Sequence, residues 1–438
     1  MSKLGNPRVR AGQLAQGVRQ LVLIAIALWL PRLEVGLEAI GWWEQFQYLG
    51  YLLGFSWLTG LGQAYLVRLR DLDTPAANRL TAQVMTTILA ISLTILLLGV
   101  LLQGPLLQFL TGDSYLPGWL FFLCFLAAHW PGLLAEQVLL ARARPMQLIS
   151  YSLLTNAALL AAVILPLYFG YSFETALPYL LGVALLKFLL TLMFLRPWLD
   201  FRAWVRQHWR KWLLVGSPLV IYAALNALNL SFDAWFVNFW YEGDDDRFAI
   251  FRYGTRELPL LAAATNGISQ AVLPILSTSA GLASQRGLQQ LKNSSLRLMH
   301  LFFPVAILLL LSSPYWWTWV FTEQLADSLS LFQVFLLLGI SRMLFPIPVM
   351  TALGLGRELM IVGLIEIGIN AVLSIMLVQS MGLIGVVWAT VITYLLDKLV
   401  AVFWLWRRRG VPISAYCAWE WLLGYSLVLL GVYWVVGQ

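Results

Sequence analysis

The stretch LSFDAWFVNFWYEGDDDRFAIFRYGTRELP, residues 230–259, is a hydrophobic hairpin with charge inside both arms. One arm runs apolar to Trp240, an acidic turn spans Tyr241 to Arg247, and the second arm resumes at Phe248. Asp233 lies eight residues inside the turn on the first arm, and Arg252 and Arg256 lie five and nine residues inside it on the second. A four-residue spacing puts both arginines on one face of a helix. An ion at bilayer depth costs roughly 2.5–3.5 kcal/mol on insertion scales, so such side chains face a partner or a wet cavity. Two readings are open: a structural ion pair between the arms, or a cationic lining that meets an anionic ligand within the membrane.

Composition makes the hairpin part of a larger pattern. Of 438 residues, 60% are hydrophobic and only 11% charged, and apolar runs long enough to cross a bilayer recur along the chain. The fold class that follows is all-α and polytopic, because hydrocarbon leaves exposed backbone unsatisfied. Thirteen spans are expected, at 12–31, 36–66, 80–104, 115–141, 147–169, 175–196, 212–241, 247–277, 292–321, 326–355, 358–380, 382–406 and 418–436. The first is read as an uncleaved span, since no small-residue cleavage site follows it.

Positive charge sets the orientation. The N-terminal tail and alternate loops hold 20 Lys or Arg, whereas the opposite loops hold two, Arg32 and Arg247. The bias predicts a cytoplasmic N-terminus in a cytoplasmic membrane and, with an odd number of spans, an external C-terminus. The net charge of +7 therefore reflects cytoplasmic loops near anionic head groups, not a nucleic-acid partner.

Four segments are expected: an N-terminal six-helix bundle at 1–196, an interfacial amphipathic linker at 197–211, a C-terminal six-helix bundle at 212–406, and an extra helix at 407–438. In the linker Arg202, Arg206 and Arg210 repeat every four residues, while Phe201, Trp204, Val205 and Trp212 gather on another face. A weak parallel repeat supports two halves: Gly60, Gln63 and Ala64 recur 207 residues on as Gly267, Gln270 and Ala271. A second echo pairs Arg144, Asn156 and Gly170 with Arg357, Asn370 and Gly382.

Catalytic and metal chemistry find little support. His129, His208 and His300 are scattered without a second ligand at metal spacing, and Cys124 and Cys417 lie far apart. The run Glu242 to Asp246 reads as a solvated turn before it reads as a metal site. No cofactor, resident metal or enzymatic activity is expected. Within the spans the charges sort by depth. Glu44, Asp233, Arg252 and Arg256 lie in the outer half, Lys187 and Arg342 near the midplane, and Arg19, Glu136, Glu366, Asp397 and Lys398 in the inner half. Glu136 and the Asp397–Lys398 pair read as structural. Prolines within spans, among them Pro131, Pro218 and Pro259, mark helices that bend, as transporter helices do.

These features resemble a known family. Tyr253-Gly254, Pro274-Ile275-Leu276-Ser277, and Asn370 ahead of Gly382-x-x-Gly385-x-x-x-Ala389-Thr390 are similar to the polysaccharide transport branch of the multidrug, oligosaccharidyl-lipid and polysaccharide (MOP) flippase superfamily. The likeness covers spans one to twelve; thirteen spans depart from the usual twelve or fourteen. It implies a flippase for polyprenyl-diphosphate-linked oligosaccharide, serving surface polysaccharide synthesis by alternating access between two bundles around a cationic cavity. Glycan polymerase or glycosyltransferases of the same pathway are then expected partners, besides membrane lipids. Lipid II flippases of the superfamily are similar in aiming arginines of spans one and eight at their cavity, and Arg19 with Arg252 or Arg256 occupies comparable spans. On that reading Arg19, Arg252 and Arg256 hold the diphosphate, with Lys187 and Arg342 deeper, since guanidinium bonds phosphate oxygens in pairs. Asp233, Glu44 and Glu257 balance the charge of the empty site or couple an ion. Two alternatives stay open, a cation-coupled multidrug exporter of the same fold and a membrane glycosyltransferase or glycan polymerase.

Overall fold

The computed structural model describes residues 7–69, 72–202, 206–276 and 284–437. Among them every element is helical: α1 (Pro7–Trp29), α2 (Leu37–Leu69), α3 (Thr74–Leu101), α4 (Gln103–Thr111), α5 (Trp119–Ala141), α6 (Pro145–Tyr168), α7 (Phe173–Leu195), α8 (Arg206–Trp240), α9 (Asp245–Gly254), α10 (Pro259–Leu276), α11 (Gln285–Phe321), α12 (Ser328–Leu336), α13 (Leu338–Arg342), α14 (Pro346–Ala352), α15 (Gly356–Met381), α16 (Leu383–Arg409) and α17 (Trp419–Val436). Local chemistry sets several starts. Asp73 caps α3 by accepting from the Ala76 amide at 3.0 Å, with Pro75 in the first turn, and Ser172 caps α7 by accepting from the Thr175 amide at 3.4 Å.

The protein is a multi-pass membrane protein: eleven of its described segments are long and apolar enough to cross a bilayer. The thirteen expected spans are not reproduced as thirteen such segments. The span expected at 36–66 is α2, whose apolar character is diluted by Gly, Trp, Tyr and Gln residues such as Trp42, Gln45, Gln47, Tyr51 and Gln63. The span expected at 247–277 is interrupted at Thr255–Leu258, so α9 and α10 are separate helices. Gly254 and Pro259 explain the break: glycine ends the first helix readily, and proline opens the second at its first position, where no amide is needed.

The chain forms two compact units, 1–248 and 249–438. The division falls after Phe248 and not at the 197–211 connector, because α8 packs along α2 within the first unit. Two glycines allow the close approach. A Cβ on Gly60 would sit 2.5 Å from the Val220 amide nitrogen, and one on Gly216 would meet Leu61 at 3.0 Å. Trp212 is fully buried in this seam and donates from Nε1 to the Leu61 carbonyl at 3.1 Å. The connector is described in part. Residues 203–205, including Trp204 and Val205, lie outside the described residues, and Arg206 to Lys211 form the first turns of α8.

At one end of the first unit polar contacts join α2 to α8 and to the start of α9. Gln45 and Asn238 exchange carboxamide hydrogen bonds of 2.7 and 3.1 Å between α2 and α8. Beside them Trp42 Nε1 donates to Asp245 Oδ2 at 2.8 Å. Gly41 makes room, since a Cβ there would lie 2.3 Å from the Asp245 carbonyl oxygen. The acidic run expected as a solvated turn thus has one member folded inward.

In the second unit α12, α13, α14 and α15 pack on α16, and α10 and α17 pack on α11. The α11–α17 contact is aromatic: Phe303 and Tyr425 stack at 5.0 Å, and His300 Nδ1 lies 2.9 Å from the Tyr425 hydroxyl.

Candidate functional site

The first unit contains a cavity of about 650 Å³ walled by α1, α2, α5, α6 and α7. Its position follows from a weak place in α5. Pro131 cannot donate an amide hydrogen, and Gly132 next to it has no side chain. The notch admits the stem of Lys187 from α7: a Cβ on Gly132 would fall 2.5 Å from Lys187 Cε and 2.8 Å from the Tyr151 hydroxyl. Tyr151 of α6 donates to the Gly132 carbonyl at 3.1 Å and lies 2.8 Å from Thr191 Oγ1, which donates to the Lys187 carbonyl at 2.8 Å. Three helices thereby fix one lysine, only 5% exposed, with its ammonium at the cavity wall.

Lys187 Nζ meets His129 Nε2 at 3.2 Å. One helical turn beyond Gly132 along α5 stands Glu136, whose Oε2 is ion-paired with Arg19 of α1. Its Oε1 is buried without a hydrogen-bond partner, as is Gln137 Oε1 one residue on. Both residues line the cavity, along with the carboxamides of Gln16, Gln47 and Asn156. Aromatic rings supply much of the remaining wall. Phe46 and Phe122 stack at 4.5 Å, and Tyr51 and Phe55 stack at 4.5 Å. The charge inventory is two fixed cations, Arg19 and Lys187, against one carboxylate, Glu136. Such a wall can bind an anion beside a body that has hydroxyl donors and apolar faces.

The expected site residues separate. Arg19 and Lys187 come together in this cavity. Glu44 is buried on α2 and Asp233 is half-buried on α8, both in the first unit, and neither lines the cavity. In the second unit Arg342 pairs with Glu257 at 3.0 Å and lies 5.2 Å from the Tyr394 ring centroid. Arg256 sits 4.7 Å over the Tyr253 ring. Arg252 occupies the last turn of α9, where a cation complements the carbonyl end of the helix dipole at the break before α10. Asp397 and Lys398 pair with each other on α16.

Glu136 and His129 are the site residues that sequence reasoning set aside, the first as structural and the second as packing. The sequence did carry a signal for Glu136, which falls in the same inner half of the membrane as Arg19. His129 had none, because Lys187 is 58 residues away and the contact depends on the Gly132 notch. Among the described residues no group of three or more His, Cys, Asp or Glu is arranged to hold a metal ion.

The fold is that of MOP-superfamily transporters. A solved lipid II flippase, MurJ in an inward closed conformation, superposes with a TM-score of 0.73 over 98% of this chain and 93% of its own, at 15% identity. An outward-facing multidrug resistance MATE family transporter gives 0.57 at 17% identity over 94% and 97% of the two chains. A MOP superfamily transporter from Pyrococcus furiosus, described as having a binding pocket of reversed polarity, gives 0.60 at 17% identity over 94% and 97%. At such identities the likeness concerns the fold. No family model matches the sequence, and no curated protein matches it.

Proposed function

We propose that the protein is a flippase that carries a polyprenyl-diphosphate-linked oligosaccharide across the cytoplasmic membrane, with its N-terminus in the cytoplasm. The observation that carries this reading is the first-unit cavity, where Arg19 and Lys187 stand beside the unpartnered acceptors Glu136 Oε1 and Gln137 Oε1. The cations suit a diphosphate, the orphan acceptors suit sugar hydroxyls, and the aromatic faces suit the apolar sides of sugar rings. Alternating access belongs to the same proposal and is supported by the fold shared with MurJ and MATE transporters. Arg252, Arg256 and Arg342 remain proposed contacts for the diphosphate, with Asp233, Glu44 and Glu257 as their counter-charges.

A multidrug exporter is the second reading, favoured by the MATE-like fold and the aromatic walls. Charge separates the two, because a cationic drug is repelled by Arg19 and Lys187 whereas a diphosphate is attracted. Proteoliposomes holding the purified protein, supplied with a fluorescent short-chain polyprenyl-diphosphate sugar and separately with a cationic dye, measure the choice directly. The flippase reading expects movement of the lipid-linked sugar, lost in Arg19→Gln/Lys187→Met. Dye movement with an immobile lipid-linked sugar overturns it.

A further inference from the structure

We propose that anion binding in the first-unit cavity takes up one proton onto the His129–Lys187 pair. The proposal rests on the anion-site reading above and adds the coupled ion to it.

The argument starts from one contact. His129 Nε2 and Lys187 Nζ lie 3.2 Å apart. Two nitrogens at that distance are joined by one hydrogen, so one donates and the other offers a lone pair. An ammonium is a weaker acid than an imidazolium, so the singly protonated pair is the Lys187 ammonium donating to a neutral imidazole, with one positive charge. A second proton places N–H on both facing atoms. The hydrogen bond is then lost and two cations face each other at the buried wall.

The surroundings decide when that state is populated. Of the titratable and charged groups on the packed elements, those at the cavity are Arg19 on α1, Tyr51 on α2, Glu136 on α5 itself and Lys187 on α7, with Tyr151 of α6 behind Gly132, whereas Glu38, Glu44 and Arg68 on α2 and Glu174 on α7 do not line it. On α3, which also packs against α5, the only charged residue is Arg79, bound to Asp200 at 3.3 Å. Glu136 is the one carboxylate at the cavity, and Oε2 is already committed to Arg19. The empty cavity therefore lacks an anion to balance a third cation, and a bound ligand of two or more negative charges supplies it. Ligand and proton then favour each other by the same factor, as linkage requires. The Gly132 notch seats the lysine stem against α5 and sets the ammonium beside His129.

The test uses the full-length protein in lipid nanodiscs with isotope-labelled histidine rings. Farnesyl diphosphate is the first probe. Inorganic sulfate is the second, because it stays fully ionised near neutral pH and exchanges no proton of its own. Ring nitrogen NMR, assigned with His129→Gln, is expected to show His129 passing from the neutral to the imidazolium pattern when either probe saturates. Sulfate affinity is expected to weaken as pH rises, by up to about tenfold per pH unit for one linked proton. In His129→Gln the carboxamide oxygen still accepts from Lys187, and sulfate affinity should lose its pH slope. A neutral His129 in the saturated complex, or an unchanged slope in His129→Gln, overturns the proposal. Failure of both probes to bind the wild-type protein at any pH overturns the anion-site reading beneath it, a result distinguishable from binding without proton uptake.

Discussion

Replacing Asp245 by Asn should make the protein more stable at alkaline pH and leave it nearly unchanged in acid. Asp245 begins α9, outside the spans, and its carboxyl is pushed up to about 7. Burial is the main cause. Glu38 and Asp113 add to it by like charge, while hydrogen bonds from Trp42 and Gln45 partly offset it. A carboxyl whose folded value exceeds its unfolded value favours the protonated native state. That stabilisation is complete below the unfolded value, near 3.8, and is lost as pH rises through about 7. With 1.36 kcal/mol per unit, the loss is on the order of 2–4 kcal/mol once residual solvent exposure is allowed for. For a unit of this size that corresponds to roughly 5–10 °C in thermal midpoint. Asn keeps an oxygen for the Trp42 indole and carries no charge at any pH. The assay is a set of thermal unfolding scans in detergent from about pH 3.5 to about pH 8, a window bracketing the unfolded and folded values. The wild type should lose midpoint across that range and Asp245→Asn should stay flat, the curves meeting at the acid end. Parallel curves would refute the burial of this carboxylate as its determinant.

The other predictions concern packing and pairing. Gly132→Ala should cost about 1–3 kcal/mol by overpacking, seen as a lower thermal midpoint, and Lys187→Ala in the same chain should recover part of the loss. Arg342→Met should destabilise by about 1–3 kcal/mol because Glu257 keeps its charge without this partner. Glu257→Gln added to it should restore stability, which a double-mutant cycle measures. Trp212→Phe removes the bond to the Leu61 carbonyl and should lower stability by about 1 kcal/mol, read from the same scans.

Hydropathy made the all-α membrane fold legible, because a bilayer demands long apolar helices whatever their packing. It missed the break between α9 and α10 although Gly254 and Pro259 marked it, since the apolar arms on either side invited one continuous span. The seam between α2 and α8 was hidden for another reason. Gly60 and Gly216 act through what they allow a distant helix to do, and that leaves no periodic trace. Depth ordering brought Arg19 and Glu136 to the same level but did not join them as a pair. It could not bring His129 to Lys187, nor turn Asp245 inward, because each depends on a glycine elsewhere making space. The segment least legible was the connector, where the amphipathic pattern of Arg206 and Arg210 proved to belong to the start of α8.

Gly132 makes positions 132 and 187 a single inherited choice. Bulk introduced at one must be surrendered at the other, so mutational drift through this part of the wall has few routes open. Where natural variation lengthens the residue at 132, a shortened side chain at 187 should accompany it, and the histidine at 129 then loses its reason to persist.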